Sequence, residues 1–178
     1  MIGDTVFPCR LGRTGRRHIK REGDGASPVG IWQLGIVYYR SDRGVRPACS
    51  LACKSSKNTD AWCEDIDSGL YNRKITMPPG EGNETFWRSD EAYDIVIPTD
   101  HNSRPRVKGL GSAIFFHLTR SGSRVTAGCV AVAPQHMRKI LARCGGVTKL
   151  VIWPSQGGPP AGLQKSPNRH GRALRPLR

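Results

Sequence analysis

Long apolar runs are missing from this 178-residue sequence. The longest are strand-sized, far short of the roughly 20 apolar residues that a membrane-spanning helix needs. From Ser41 to Asn83 no helical period survives two turns, so this stretch reads as loops with short strands. Acids are scarce: 14 Asp and Glu face 28 Lys and Arg, leaving a formal charge of +14. Such a surface attracts polyanions, and charge alone does not choose among nucleic acid, anionic headgroups and acidic cell-wall polymers; it serves solubility equally well. Between Met1 and Arg13 there is no basic segment followed by an apolar one, so no secretory signal is read there, and export has to be argued from elsewhere or is absent. The six cysteines follow no small secreted disulfide framework. Cys49, Cys53 and Cys63 lack a second close pair or a well-spaced His, so no metal and no cofactor is assigned. Gly109-Leu110-Gly111 lacks the later glycine and the strand-then-helix setting of a dinucleotide fingerprint.

What is present suits a turn-rich, mainly β fold: 37% hydrophobic residues, 21 glycines and 13 prolines. The length supports one domain with a real core and is too short for two ordinary ones. Strands are expected at Val6–Leu11, Ile31–Arg40, Tyr93–Pro98, Ser112–Leu118, Val125–Val132 and Val147–Trp153. A helix is expected from Pro134, in the favoured first-turn position, to Cys144, with Met137, Ile140, Leu141 and Cys144 as its apolar stripe and Gly145-Gly146 ending it. Residues 1–153 form the expected domain. Residues 154–178 carry Lys165, Arg169, Arg172, Arg175 and Arg178 with no acid, and read as a disordered basic tail.

The chemistry points to Cys129. A nucleophilic cysteine needs a base beside it and donors for the charge that moves onto the substrate oxygen. Gly128 before it permits close backbone approach and leaves the amides of 128 and 129 free to face an oxyanion. His117 ends the Ser112–Leu118 strand, where two-residue alternation groups it with Ala113 and Phe115. A hairpin through the 119–124 loop would then set imidazole and thiol side by side. Read singly, each also fits a plain structural role, an inert core thiol and a satisfied polar histidine.

His117, then a loop, then Thr126-Ala127-Gly128-Cys129-Val130 resembles the signature of the L,D-transpeptidase (YkuD-type) catalytic domain. Further similarity lies in Leu11-Gly12-Arg13, the run from Lys20 to Gly30, Trp62-Cys63, Tyr71-Asn72-Arg73, Tyr93-Asp94 and the run from Gly109 to His117. The resemblance spans about residues 7 to 153, in order. It implies a β-sandwich or distorted barrel of mixed sheets with one packed α-helix. It also implies a cysteine acyltransferase that cleaves peptidoglycan stem tetrapeptides after the L-centre of the third residue and forms 3→3 cross-links through a Cys129 thioester, in cell-wall biogenesis and cell shape. His117 would be the base, oriented by the Leu118 carbonyl, with Gly128 supporting the oxyanion and Thr126 and Ala127 contacting substrate. Asp24 is either at the site's edge or only a turn residue, and Trp62 either stacks on substrate or packs. Implied partners are stem peptides and, as inhibitors, carbapenem-type β-lactams, with a monomeric chain, no specific nucleic acid and a periplasmic or envelope location. Hydrolysis at the same site and a non-catalytic basic wall-binding module are the alternatives. The sequence departs from the family pattern at Ala127 and Ala131, where many members have His and Asn or Arg, at His101, where Tyr is expected, and in a shorter His-to-Cys connection.

Overall fold

The computed structural model describes residues 1–76 and 83–154. Apart from Pro154, the basic tail expected over 154–178 lies outside the described residues. Among the described residues the chain forms thirteen short strands, one 3-10 turn and one α-helix. The strands are β1 Cys9–Arg10, β2 Arg16–Arg17, β3 Ser27–Pro28, β4 Gly30–Gln33, β5 Val37–Tyr39, β6 Cys53–Ser55, β7 Asp60–Cys63, β8 Arg73–Thr76, β9 Asn83–Thr85, β10 Ile95–Pro98, β11 Phe115–Leu118, β12 Val130–Val132 and β13 Lys149–Ile152. The turn is Glu91–Tyr93 and the helix, α1, is Pro134–Leu141.

A six-stranded mixed sheet in the order β1-β12-β11-β10-β5-β6 organises the molecule. Its central strands β10, β11 and β12 are buried along their whole length, as strands covered on both faces must be. Alternation divides their side chains. Ile95, Ile97, Phe116, Leu118, Val130 and Val132 join an aliphatic core that Met137 and Leu141 of α1 and Ile152 of β13 complete. The opposite residues, Val96, Phe115 and Cys129, join an aromatic core with Tyr38, Phe86 and Tyr93. The second face is covered by the β8-β7-β9 sheet, which contributes Trp62. The mainly β architecture of mixed sheets with a single helix is the one expected.

Several local expectations are corrected. Val6–Leu11 is strand only at Cys9–Arg10. The single strand expected over Ile31–Arg40 is two: β4 pairs β13, whereas β5 enters the central sheet. Gly35 allows the switch, because its amide donates to the Pro98 carbonyl at 2.8 Å and a Cβ there would lie 3.0 Å from the same oxygen. Tyr93 belongs to the 3-10 turn, capped by the Asp90 side chain accepting from Ala92 N, so the strand begins at Ile95. Ala113 has φ 49°, which takes the backbone out of the extended region and delays β11 to Phe115. Helix α1 ends at Leu141, and Ala142 to Cys144 continue as a turn. The main correction concerns β11 and β12: they run parallel, in the register Phe116↔Val130, His117↔Ala131 and Leu118↔Val132, not as a hairpin. Residues 119–129 cross back without a helix, and the Thr126 amide donates to the Leu11 carbonyl on the way.

Candidate active site

The parallel register still places thiol and imidazole on one side of neighbouring strands. Cys129 precedes the Phe116↔Val130 pair by one residue and so lies opposite Phe115, whereas His117 lies opposite Ala131. Two residues of rise, about 7 Å, separate the levels. Ala131, level with His117 on the neighbouring strand, adds only a methyl group to the same wall. Cys129 is 9% exposed and His117 8%, and both line one cavity of about 570 Å³.

Burial sets the protonation states. It pushes the Cys129 thiol up to about 12, helped by the charges of Glu84 and Glu64 and opposed by the Phe115 amide and by Lys20. The amide of Phe115 donates to Sγ at 3.3 Å, and Sγ donates to the Ala113 carbonyl at 3.2 Å. Burial likewise lowers His117 to about 4, against its backbone hydrogen bond to Leu118. The ring's Nδ1 lies 2.8 Å from the Leu118 carbonyl, which can only accept, and the Ala92 carbonyl also favours a proton on the ring; with the proton on Nδ1, the other nitrogen of the neutral ring is an acceptor. Neutral thiol and neutral imidazole therefore share the cavity at pH 7.

The turn that presents Cys129 is held from inside. Thr126 Oγ1 donates to the Cys129 carbonyl at 2.7 Å and accepts from Gly128 N at 3.2 Å. Ser27, fully buried, accepts from Gly12 N at 2.9 Å and donates to the Gly128 carbonyl at 2.7 Å. Gly128 has φ 151°, and a Cβ there would fall 2.9 Å from the Ala26 carbonyl, so only glycine fits. Two expectations change here. The Gly128 amide, expected to be free for an oxyanion, is spent on Thr126, which leaves the Cys129 amide as the donor to consider. Thr126 turns its hydroxyl into the turn as well as lining the cavity.

Ala127 is exposed on the cavity wall. The Trp62 indole donates to Asn72 Oδ1 at 2.8 Å and packs edge-on against Phe115, with 5.3 Å between ring centroids, beneath the site and off the cavity wall. Asp24 is a turn hub: its carboxylate accepts from Lys20 Nζ at 2.6 Å and from the amides of Arg21 and Ala26 at 2.9 Å. Burial raises it, but those bonds outweigh burial and hold it below the usual carboxylate range. It shapes the loop from which Lys20, Glu22 and Gly23 reach the cavity. His101 is buried beside Trp32 and donates through Nε2 to the Leu110 carbonyl at 3.1 Å.

Sequence reasoning passed over Ser27 and the cavity's carboxylates, Glu22, Glu64 and Glu84. Glu64 is raised to about 7, by burial first and then by Glu84 and Glu22. Ser27 and Glu22 lie inside the run from Lys20 to Gly30, so their signal was at hand; Glu64 and Glu84 come from separate segments and leave no pattern. Among the described residues, no three His, Cys, Asp or Glu side chains are grouped so as to hold a metal ion, and no helix is long and apolar enough to cross a membrane.

Comparison with known proteins matches the chain to the family model described as the YkuD L,D-transpeptidase catalytic domain, over residues 3–152. No curated protein and no solved structure matches the chain.

Proposed function

Because the chain belongs to the YkuD L,D-transpeptidase catalytic domain family, whose members act on peptidoglycan at the cell envelope, we propose that it is a cysteine acyltransferase working through a Cys129 thioester with His117 as base. The observation that supports this reading is the pairing of Cys129 and His117 on one face of adjacent parallel strands, both opening into one cavity.

The resting pair is neutral, so proton transfer accompanies attack. As Sγ closes on the carbonyl of the third, L-centred residue of a tetrapeptide stem, the acceptor nitrogen of His117 takes the thiol proton. The Leu118 carbonyl keeps the ring oriented and steadies the imidazolium, a role that needs no carboxylate. The carbonyl oxygen becomes an oxyanion toward the Cys129 amide. Collapse breaks the amide bond, His117 returns the proton to the departing amine of D-alanine, and a thioester remains. An amine of a neighbouring stem then attacks the thioester carbonyl, gives up its proton through His117 and releases the thiol. Where that amine is the side chain of another third residue, the product is a 3→3 cross-link.

Incubation with a disaccharide tetrapeptide, with and without a second stem as acceptor, followed by mass analysis, tests the reading. Loss of D-alanine with a cross-linked dimer is expected, and tripeptide alone would assign hydrolysis instead. Exposure to a carbapenem should add one acyl group at Cys129, seen in the intact mass. A folded protein that stays unmodified would sink the proposal and favour a non-catalytic wall-binding module.

A further inference from the structure

Two other thiols meet outside the cavity. Cys49 and Cys53 are half-buried, pack against the aliphatic core on the face away from Cys129, and have their sulfurs 3.4 Å apart. Both point at one backbone oxygen, the Leu51 carbonyl, at 3.6 Å from Cys49 and 3.5 Å from Cys53. The fold imposes this convergence. Cys53 is fixed opposite Val37 in the β5–β6 ladder, Val37 N donates to the Ala52 carbonyl at 2.8 Å, and Leu51 is buried between the two cysteines. The chain therefore curls from 49 to 53 with both thiols inward. Cys144, the third thiol on this face, is engaged elsewhere, with Sγ 3.3 Å from the Ile140 carbonyl. The three thiols do not form a group able to hold a metal ion, so the pair has the character of a dithiol.

We propose that Cys49 and Cys53 are a built-in disulfide site that closes when the folded chain meets an external disulfide, such as oxidised glutathione or the oxidised Cys-x-x-Cys of a thiol oxidoreductase. One protein thiolate attacks a sulfur of the external disulfide, forms a mixed disulfide and releases one thiol. The second protein thiolate displaces the remaining partner sulfur. Two protein S–H bonds are lost, one S–S bond forms, and the external disulfide takes up two electrons and two protons as two thiols. The bond fastens the segment that feeds β6, the outer strand of the central sheet, where among the described residues no further strand holds it. Cys129 takes no part, because it faces the other side. The inference is independent of the acyl-transfer reading.

The test uses the full folded chain treated with oxidised glutathione, quenched in acid, alkylated in denaturant and mapped by peptide mass. The peptide holding Cys49 and Cys53 is expected to lose two hydrogens, with neither alkyl group nor glutathione attached. In Cys49→Ser, Cys53 should instead retain one glutathione. The same treatment in urea is a second measurement: ring closure should be about tenfold slower once the fold no longer holds the two thiols together. Alkyl groups or separate glutathiones on both residues of the folded protein, a bond to Cys144, or equal closure rates folded and unfolded would each overturn the proposal.

Discussion

The two faces of the central sheet are built from the same strands and are equally buried, yet they differ in kind. One face carries Ile95, Ile97, Phe116, Leu118, Val130 and Val132 into an aliphatic core under α1. The other carries Phe115, Cys129, His117 and Ala131 toward aromatic rings and a polar cavity. Along β11 and β12 the parity of a position, odd or even, decides whether its side chain enters the aliphatic core or faces the aromatic core and the cavity. Dense packing on the first face fixes the backbone from which the second face presents its pair.

The sharpest break of this comparison is a swap of readouts. Cys129→Ala should abolish carbapenem acylation in the intact mass and leave denaturant stability nearly unchanged. Leu141→Ala, on the other face, should cost about 2–5 kcal/mol in urea unfolding and leave acylation per folded molecule intact. If Leu141→Ala stopped acylation in folded protein, the division would fail. Next in size, His117→Gln should slow acylation by about 10² to 10⁴, measured as the rate of mass gain with the fold verified by circular dichroism.

The pH dependence belongs to the same face. His117 has its folded value lowered to about 4 by burial, below the ordinary histidine value of 6.5. The unfolded chain therefore binds the proton first, and stability falls as pH drops from 6.5 toward 4. This site contributes at most about 3 kcal/mol. Urea midpoints at pH 7 and pH 4.5 should differ more in the native chain than in His117→Gln. Acylation should fail below about pH 4, where the imidazole is protonated. Ser27→Ala comes next: it removes the bond to the Gly128 carbonyl, strands buried groups, and should cost about 1–3 kcal/mol while slowing acylation with the thiol still present. The smallest effect is expected for Glu64→Gln. It should erase any inflection near pH 7 in the acylation rate, because Glu64 is the cavity group raised to about 7.

The sequence carried the candidate pair, Cys129 and His117, and the helix most clearly. Gly128-Cys129 and the position of His117 each have a local chemical reason, and Pro134 with Met137 and Leu141 marks the helix unambiguously. The pairing direction was not legible. A short connection over 119–129, rich in Ser and Gly, reads as a hairpin, and only the anchoring of Thr126 to Leu11 and Arg13 turns it into a parallel crossing. Gly35 hid a change of sheet inside one apolar stretch for the same reason: the contact that bends the chain, with Pro98, is distant in sequence. Ser27 is a similar case, since its hydrogen bonds to Gly12 and Gly128 follow from tertiary placement.

The parallel crossing has a further implication for how such a site can vary. Both of its ends are pinned in the β11–β12 ladder, while its middle supplies Arg120, Ser123, Val125, Thr126 and Ala127 to the cavity wall. Exchanges between Arg120 and Val125 therefore leave the ladder on either side in place, so under the proposed reading the choice of incoming amine can change while Cys129 and His117 keep their positions.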